Sequence, residues 1–117
     1  MLIHELARIS GLSKDGVRHY EALGLISSAP RQAGSRVYRD YAMAAIETIE
    51  KVRQAQRLGF SLKEIGPLLK AYGENPPSRE EEVAFLEARL AVIREKLAAL
   101  GDVEDFICRK LERYRGT

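Results

Sequence analysis

The sequence predicts a mostly α-helical fold: a winged helix-turn-helix head, a long dimerisation helix and a short C-terminal helix. Three observations predict it. Two short helical segments meet at a tight turn around Gly11, a stretch rich in Gly, Pro and Ser follows, and a leucine-rich heptad pattern closes the chain. We expect the head over residues 1–73, a linker over 74–78, and the dimerisation and C-terminal helices over 79–117.

The composition indicates one folded domain with a cationic N-terminal part. The chain has 117 residues, of which 45% are hydrophobic and 31% charged, and this balance excludes a disordered tail. The net charge is only +2, but residues 1–39 hold six Lys or Arg against three Asp or Glu. A local excess of positive charge suits a polyanionic partner.

The first two helices are predicted from capping residues. Residues 3–10 form a first helix, and Gly11 suits the left-handed residue that ends it. Ser13 is a good N-cap for a second helix that ends near Leu23. Val17 would face inward on this helix.

The second helix carries polar and basic side chains on its outer side: Ser13, Lys14, Arg18 and His19, with Tyr20 at the edge. Lys and Arg bind phosphates and guanine edges, so we expect this helix to lie in a DNA major groove. The alternative is an ordinary solvated helix face.

The next segment predicts a hairpin. A strand over residues 36–38 would pair with residues 28–31 across a turn at 32–35. It carries Arg31, Ser35, Arg36, Tyr38 and Arg39. A basic hairpin beside a helix-turn-helix is typical of a DNA-contacting wing, and a solvated loop is the alternative.

Two further helices follow. Asp40 is the expected N-cap of a helix that runs to about Arg57, with Met43, Ile46, Ile49 and Val52 as its apolar face. Ser61 and Glu64 match a capping box for the next helix. Gly66 and Pro67 should kink or shorten it.

The dimerisation helix is predicted from an apolar seam with spacings of 3 and 4 residues. A capping box at Ser78 and Glu81 starts it, and Gly101 should end it before a short last helix. A single narrow seam has too little of its own chain to pack against, so we expect a two-stranded coiled coil between two copies. The seam residues are Val83, Leu86, Leu90, Ile93, Leu97 and Leu100.

These motifs, in this order, resemble the MerR family of bacterial transcription regulators. The resemblance rests on residues 4–7, 11–13 and 17–26, the wing at 34–38, and the second helical pair at 53–65. It implies an antiparallel coiled-coil dimer on a pseudo-palindromic promoter whose spacer is too long for polymerase. Activation would come from distorting that promoter DNA in response to an effector, with RNA polymerase as an implied partner.

The resemblance also implies roles for single residues. Arg18 would contact backbone or base, Tyr20 would brace a phosphate, and Arg36 and Tyr38 would anchor the wing. Lys14 and His19 would set sequence preference. Ser35 departs from the family, which often has a large residue there.

The resemblance leaves the effector open. Metal-sensing members carry several thiols, whereas this sequence has only Cys108, so we expect no metal. We expect Cys108 to be a buried apolar residue; the alternative is a sensor at Cys108, either a redox-sensing thiol beside Arg109 and Lys110 or a metal sensor.

Other function classes are less consistent with the sequence. No phosphate loop, ligand cluster or nucleophile motif indicates an enzyme or a cofactor. A dimeric interaction module without DNA binding is the rival function, but it gives no reason for clustered arginines. With no secretion signal, no membrane-spanning run and no cysteine pair, we expect the cytoplasm.

Overall fold

A computed structural model of the protein describes residues 1–72 and 75–116. These residues form five helices and one two-stranded antiparallel sheet, and they divide into one compact unit before residue 73 and another after residue 74. The elements are α1 (Ile3–Ser10), α2 (Lys14–Ala22), β1 (Ser28–Ala33), β2 (Arg36–Tyr41), α3 (Ala44–Arg57), α4 (Leu62–Tyr72) and α5 (Arg79–Arg115).

The predicted fold class is confirmed: a helix-turn-helix, a two-stranded wing, a second helical pair and a long C-terminal helix follow in that order. The predicted boundary between head and linker falls at residues 73 and 74, which lie outside the described residues. We call residues 1–73 the head and α5 the stalk.

Local capping forms the helix-turn-helix as expected. Gly11 has φ 76° and its N–H donates to the Ala7 carbonyl at 2.9 Å. The Ser13 hydroxyl accepts from the Gly16 N–H at 2.9 Å, so one free donor of the first turn of α2 is satisfied. Gly is needed at position 11 because L side chains rarely adopt that φ.

The core of the head gathers one apolar stripe from each of its helices and the end of β2. Burying each aliphatic side chain stabilises the head by about 1.5–3 kcal/mol. The expectation that Met43 lies on the buried face of α3 is wrong, because Met43 is 68% exposed, and Ile9 of α1 is 49% exposed as well. Ile9 lies off the stripe of α1 that Leu6 and Ser10 define, and Met43 precedes the first turn of α3. The most deeply buried side chains are Leu6, Val17, Tyr41, Ile49, Val52 and Ile65.

The sequence predicted Asp40 as the N-cap of α3, and this prediction is wrong. Asp40 belongs to β2, and its carboxylate accepts from the Met1 amino group at 2.6 Å. That hydrogen bond, and then the charge of the amino group, lowers the pKa of Asp40 below its ordinary value. Helix α3 therefore begins at Ala44, with no side-chain cap.

The fourth helix begins at the predicted capping box. Ser61 N–H donates to the Glu64 carboxylate at 3.0 Å, and Glu64 N–H donates to the Ser61 hydroxyl at 3.4 Å. Pro67 lies inside α4 and does not shorten it. The preceding Gly66 has no Cβ for the proline ring to clash with, so this position can stay helical.

The stalk is a single helix of 37 residues, and the predicted short C-terminal helix is part of it. The predicted break at Gly101 is wrong, because one glycine costs a helix only about 1 kcal/mol relative to alanine. The predicted capping box is present, with the Ser78 hydroxyl accepting from Glu81 N–H at 3.1 Å. Within the described parts of the chain, no helix is long and apolar enough to cross a membrane.

Candidate nucleic-acid interface

Helix α2 presents its basic residues on one exposed side. Lys14 and Arg18 are four residues apart and so lie on the same side of the helix, with His19 beside them. Val17 is fully buried on the opposite side and anchors α2 to the core. The predicted outward positions of Lys14, Arg18 and His19 are therefore those of the structure.

Arg18 makes an ion pair within α2. Its guanidinium lies 3.0 Å from the Asp15 carboxylate, three residues earlier, and both side chains are exposed. An exposed pair of this kind contributes about 0–1 kcal/mol, since water screens both charges. A phosphate or a guanine can compete for the guanidinium at little energetic cost.

The sequence predicted Tyr20 at the edge of the exposed side of α2, but the structure buries it. Its ring is only 6% exposed, and its hydroxyl donates to the Gln56 side chain of α3 at 3.5 Å. The spacing from Val17 to Tyr20 is three residues, so both side chains face the core. Tyr20 thus joins α2 to α3 and is not part of the exposed basic side of α2.

The wing differs from its predicted register. The two strands pair from Ser28↔Tyr41 to Ala33↔Arg36, with Gly34 and Ser35 alone in the turn. Gly34 has φ 66°, which suits the first position of a two-residue hairpin turn. The tight turn lets six residue pairs form, where the predicted four-residue turn allows fewer.

The observed register gathers the predicted wing residues on one face. The pairs Arg31↔Tyr38 and Ala33↔Arg36 are two steps apart, so their side chains project from the same side of the hairpin. Arg39 pairs with Pro30 and projects from the other side. All of these residues are exposed. Arg31, Arg36 and Tyr38 therefore form one cationic face with an aromatic ring.

A carboxylate at the end of α2 joins this helix to the base of the wing. The Tyr41 hydroxyl of β2 donates to Glu21 Oε1 at 3.0 Å, and the Ser28 hydroxyl of β1 donates to Glu21 Oε2. Tyr41 is 1% exposed, and its burial, followed by its hydrogen bond to Glu21, raises the pKa of its hydroxyl. The sequence indicated none of these contacts, because they join positions up to 20 residues apart.

Arg53 of α3 is a second residue that the sequence did not single out. Its guanidinium lies beside the turn between α1 and α2: a Cβ on Gly11 would be 3.4 Å from Arg53 Nη2. Glu50 is its partner at 3.9 Å. Arg53 thus adds positive charge beside the helix-turn-helix, and only the packing of α3 on α1 brings it there.

The stalk displays its predicted seam to solvent. Five of the six predicted residues are exposed, and Ile93 is partly buried. Since the helix is continuous, the 3–4 spacing extends beyond Leu100 through Ile107, Leu111 and Tyr114, with Glu104 as the one charged position. The extended seam is about 46 Å long at 1.5 Å per residue.

Cys108 is exposed on the stalk, which corrects the expectation that it is a buried apolar residue. Its helical neighbours include Leu111 and Glu112. Among residues 1–72 and 75–116, no three His, Cys, Asp or Glu side chains lie close enough together to hold a metal ion.

Comparisons with known proteins agree on one family. A family model described as MerR HTH family regulatory protein matches residues 1–72, and a second, described as MerR, DNA binding, matches residues 46–107. The HTH-type transcriptional regulator HmrR of Sinorhizobium medicae is 35% identical over 88% of this chain and 69% of its own. The mercuric resistance operon regulatory protein of Pseudomonas fluorescens is 35% identical over 89% and 69%.

A solved structure has the same fold. The transcription regulator PbrR691 of Ralstonia metallidurans CH34, solved with lead(II), is 26% identical and has a TM-score of 0.71 over 93% of this chain and 83% of its own. The matched models together cover the helix-turn-helix, the wing, the second helical pair and most of the stalk. The chain belongs to the MerR family of DNA-binding transcription regulators and is not an enzyme.

Proposed function

We propose that the chain binds promoter DNA as a homodimer and regulates transcription by distorting that DNA in response to a small effector. The observation that carries this proposal is the combination of a cationic head with an exposed apolar seam on the stalk. The basic residues of the head can bind the phosphates of one half-site, and the apolar seam can pack against the seam of a second copy.

In this proposal the DNA contacts come from the two exposed parts of the head. The α2 residues Lys14, Arg18 and His19 enter the major groove, with Ser13 at the helix start, where the N-terminal amides favour phosphate. The wing face of Arg31, Arg36 and Tyr38, with Ser35 at its tip, follows the backbone beside it. Arg53 adds a phosphate contact near the turn.

The stalks of two copies pair along the seam. Antiparallel pairing would place Ile107, Leu111 and Tyr114 of one copy opposite the first heptads of the other, so both ends of the stalk stay covered. We propose this arrangement because a helix with so many exposed aliphatic residues leaves a large apolar area in water. Such a dimer would join two heads in one molecule, one for each half-site.

Two heads joined in one dimer can bend or twist a promoter whose spacer is too long for polymerase. The energy of binding then supplies the deformation energy, which is about 1–6 kcal/mol for a smooth bend. An effector would shift the dimer between two geometries. We propose this regulation in the cytoplasm, with RNA polymerase as the enzyme that reads the distorted promoter.

Selection from random duplexes tests the DNA part of the proposal. We expect the recovered sites to have two-fold symmetry. The affinity should fall steeply between about 50 and 200 mM salt, because a complex with roughly six or more phosphate contacts releases that many counterions. Transcription in vitro from promoters with that site and graded spacer lengths tests the distortion. Sites without symmetry, or binding that salt does not change, would contradict the proposal.

A further inference from the structure

Glu21 is the one carboxylate of the described head that accepts a hydrogen bond from both strands of the wing. Oε1 accepts from Tyr41 of β2 and Oε2 accepts from Ser28 of β1. Ser28 and Tyr41 are cross-strand partners, and they form the pair at the base of the hairpin. The two carboxylate oxygens of Glu21 therefore bind the two residues of the cross-strand pair at the foot of the hairpin.

The base of the wing is the buried part of the hairpin. Tyr41 is almost fully buried, Ser28 and Glu21 are partly buried, and every residue from Ala29 to Arg39 is exposed. A second contact also lies at the base, where the Met1 amino group donates to the Tyr41 carbonyl at 2.8 Å and Tyr41 N–H donates to the Met1 carbonyl at 2.7 Å. This second contact joins the wing to the start of the chain, whereas the contact of Glu21 joins it to α2.

The hairpin is a lever, so small rotations at its base become large displacements at its tip. Five residue steps separate the pair at Ser28 from the pair at Ala33, which is about 17 Å at 3.4 Å per step. A rotation of about 10° at the base moves the tip by about 3 Å, and a hydrogen bond to phosphate is lost over a shorter distance than that. In the proposed complex, the angle at the base therefore decides whether Arg36 reaches a phosphate.

From this geometry we infer that Glu21 is a positioning residue that sets the angle of the wing relative to α2, so that Arg36 and Lys14 contact the same half-site together. The inference rests on the proposed DNA contacts and deepens them. Glu21 itself touches no DNA: its two oxygens are occupied by the hydroxyls of Tyr41 and Ser28.

A coupling experiment separates positioning from stability. The affinity of the full chain for a selected 30-bp duplex is measured by fluorescence anisotropy, with and without Arg36→Ala, in the wild type and in Glu21→Ala. We expect Arg36→Ala to weaken binding roughly tenfold in the wild type and less than about twofold in Glu21→Ala, because a displaced wing no longer contacts the duplex. Lys14→Ala should cost the same in both backgrounds.

Two further backgrounds sharpen this test. Glu21→Gln keeps one acceptor and gains one donor, so its side chain can still bind both hydroxyls. In this background Arg36→Ala should again weaken DNA binding by most of the roughly tenfold expected in the wild type. Tyr20→Phe is the control: it removes a tyrosine hydroxyl of the same helix that contacts Gln56 and not the wing. In this background Arg36→Ala should weaken DNA binding as much as in the wild type. If Glu21→Ala does not fold, as judged by circular dichroism, Tyr41→Phe removes one of the two hydrogen bonds and should halve the coupling in logarithmic terms.

The outcomes distinguish the inference from the proposed function. A tenfold cost of Arg36→Ala that persists in Glu21→Ala overturns the positioning role and leaves DNA binding intact. No cost of Arg36→Ala in the wild type overturns the wing contact and the inference with it. Failure of the wild type to bind any selected duplex overturns the proposed function itself.

Discussion

The head and the stalk use apolar residues in opposite ways. In the head, Ile49, Val52 and Ile65 are buried by their own chain, whereas in the stalk Leu97, Leu100 and Tyr114 are 62%, 65% and 77% exposed. The head therefore buries its apolar residues within its own chain, whereas those of the stalk stay exposed and are covered by a second copy only in the proposed dimer. An amphipathic helix alone therefore does not indicate where its apolar face will be buried.

The largest expected effect tests the head. Ile49→Ala should lower the free energy of unfolding by about 2–5 kcal/mol, because it leaves a cavity among Leu6, Val52 and Ile65. Urea denaturation followed by circular dichroism measures this change. The loss should be the same at low and high protein concentration, and a concentration-dependent loss would contradict burial within one chain.

A charge on the seam tests the stalk. Leu90→Glu should raise the dissociation constant of the dimer roughly 100-fold or more, since each copy loses about 1.5–3 kcal/mol of leucine burial and must bury a carboxylate. Sedimentation equilibrium measures the change. Ala91→Glu adds the same charge one residue away from the seam and is the matched control; if both variants dimerise equally, the seam is misassigned.

Loss of one proposed DNA contact of the head should change the free energy less than the two substitutions above. Arg18→Ala should weaken binding to every duplex roughly tenfold and reduce the salt slope by about one, because one phosphate contact is lost. Anisotropy titrations at several salt concentrations measure both quantities. Arg109→Ala on the stalk removes the same charge and should leave the slope unchanged; an equal change in both would make the effect one of net charge.

The smallest effect concerns the pH dependence of the head. The raised pKa of Tyr41 means that the unfolded chain loses the Tyr41 proton first as the pH rises through about 10. The stabilisation is thus fully present below that pH and is lost as the pH rises towards the folded value. Thermal unfolding between pH 8 and 11 should show a steeper decline for the wild type than for Tyr41→Phe, and identical slopes would contradict the assignment.

Local rules predicted the fold well where one element decides its own ends. Gly11, Ser13, Ser61 and Ser78 act at the predicted helix boundaries because a cap needs only its neighbouring residues. The same rules failed at Asp40 and Gly101. Asp40 had a distant partner in Met1, and the residues around Gly101 outweighed a single weak helix former.

The candidate site divides in the same way. Periodicity predicted that Lys14, Arg18 and His19 face outward, but not that Tyr20 faces the core, because Tyr20 lies at the border between the two sides. The wing residues were identified by type, whereas the face they share depends on register. A shift of one residue would move each side chain to the other face of the hairpin.

Most helix caps, the heptad seam and the basic residues of the head could be predicted from the sequence alone, because these depend on contacts within one or two turns of chain. Tertiary structure alone decided the wing register, the place of Arg53 beside Gly11, and the binding of Tyr41 and Ser28 to Glu21. These contacts join residues of different secondary-structure elements or of the turns between them. Their partners are chosen by packing, which no local pattern encodes.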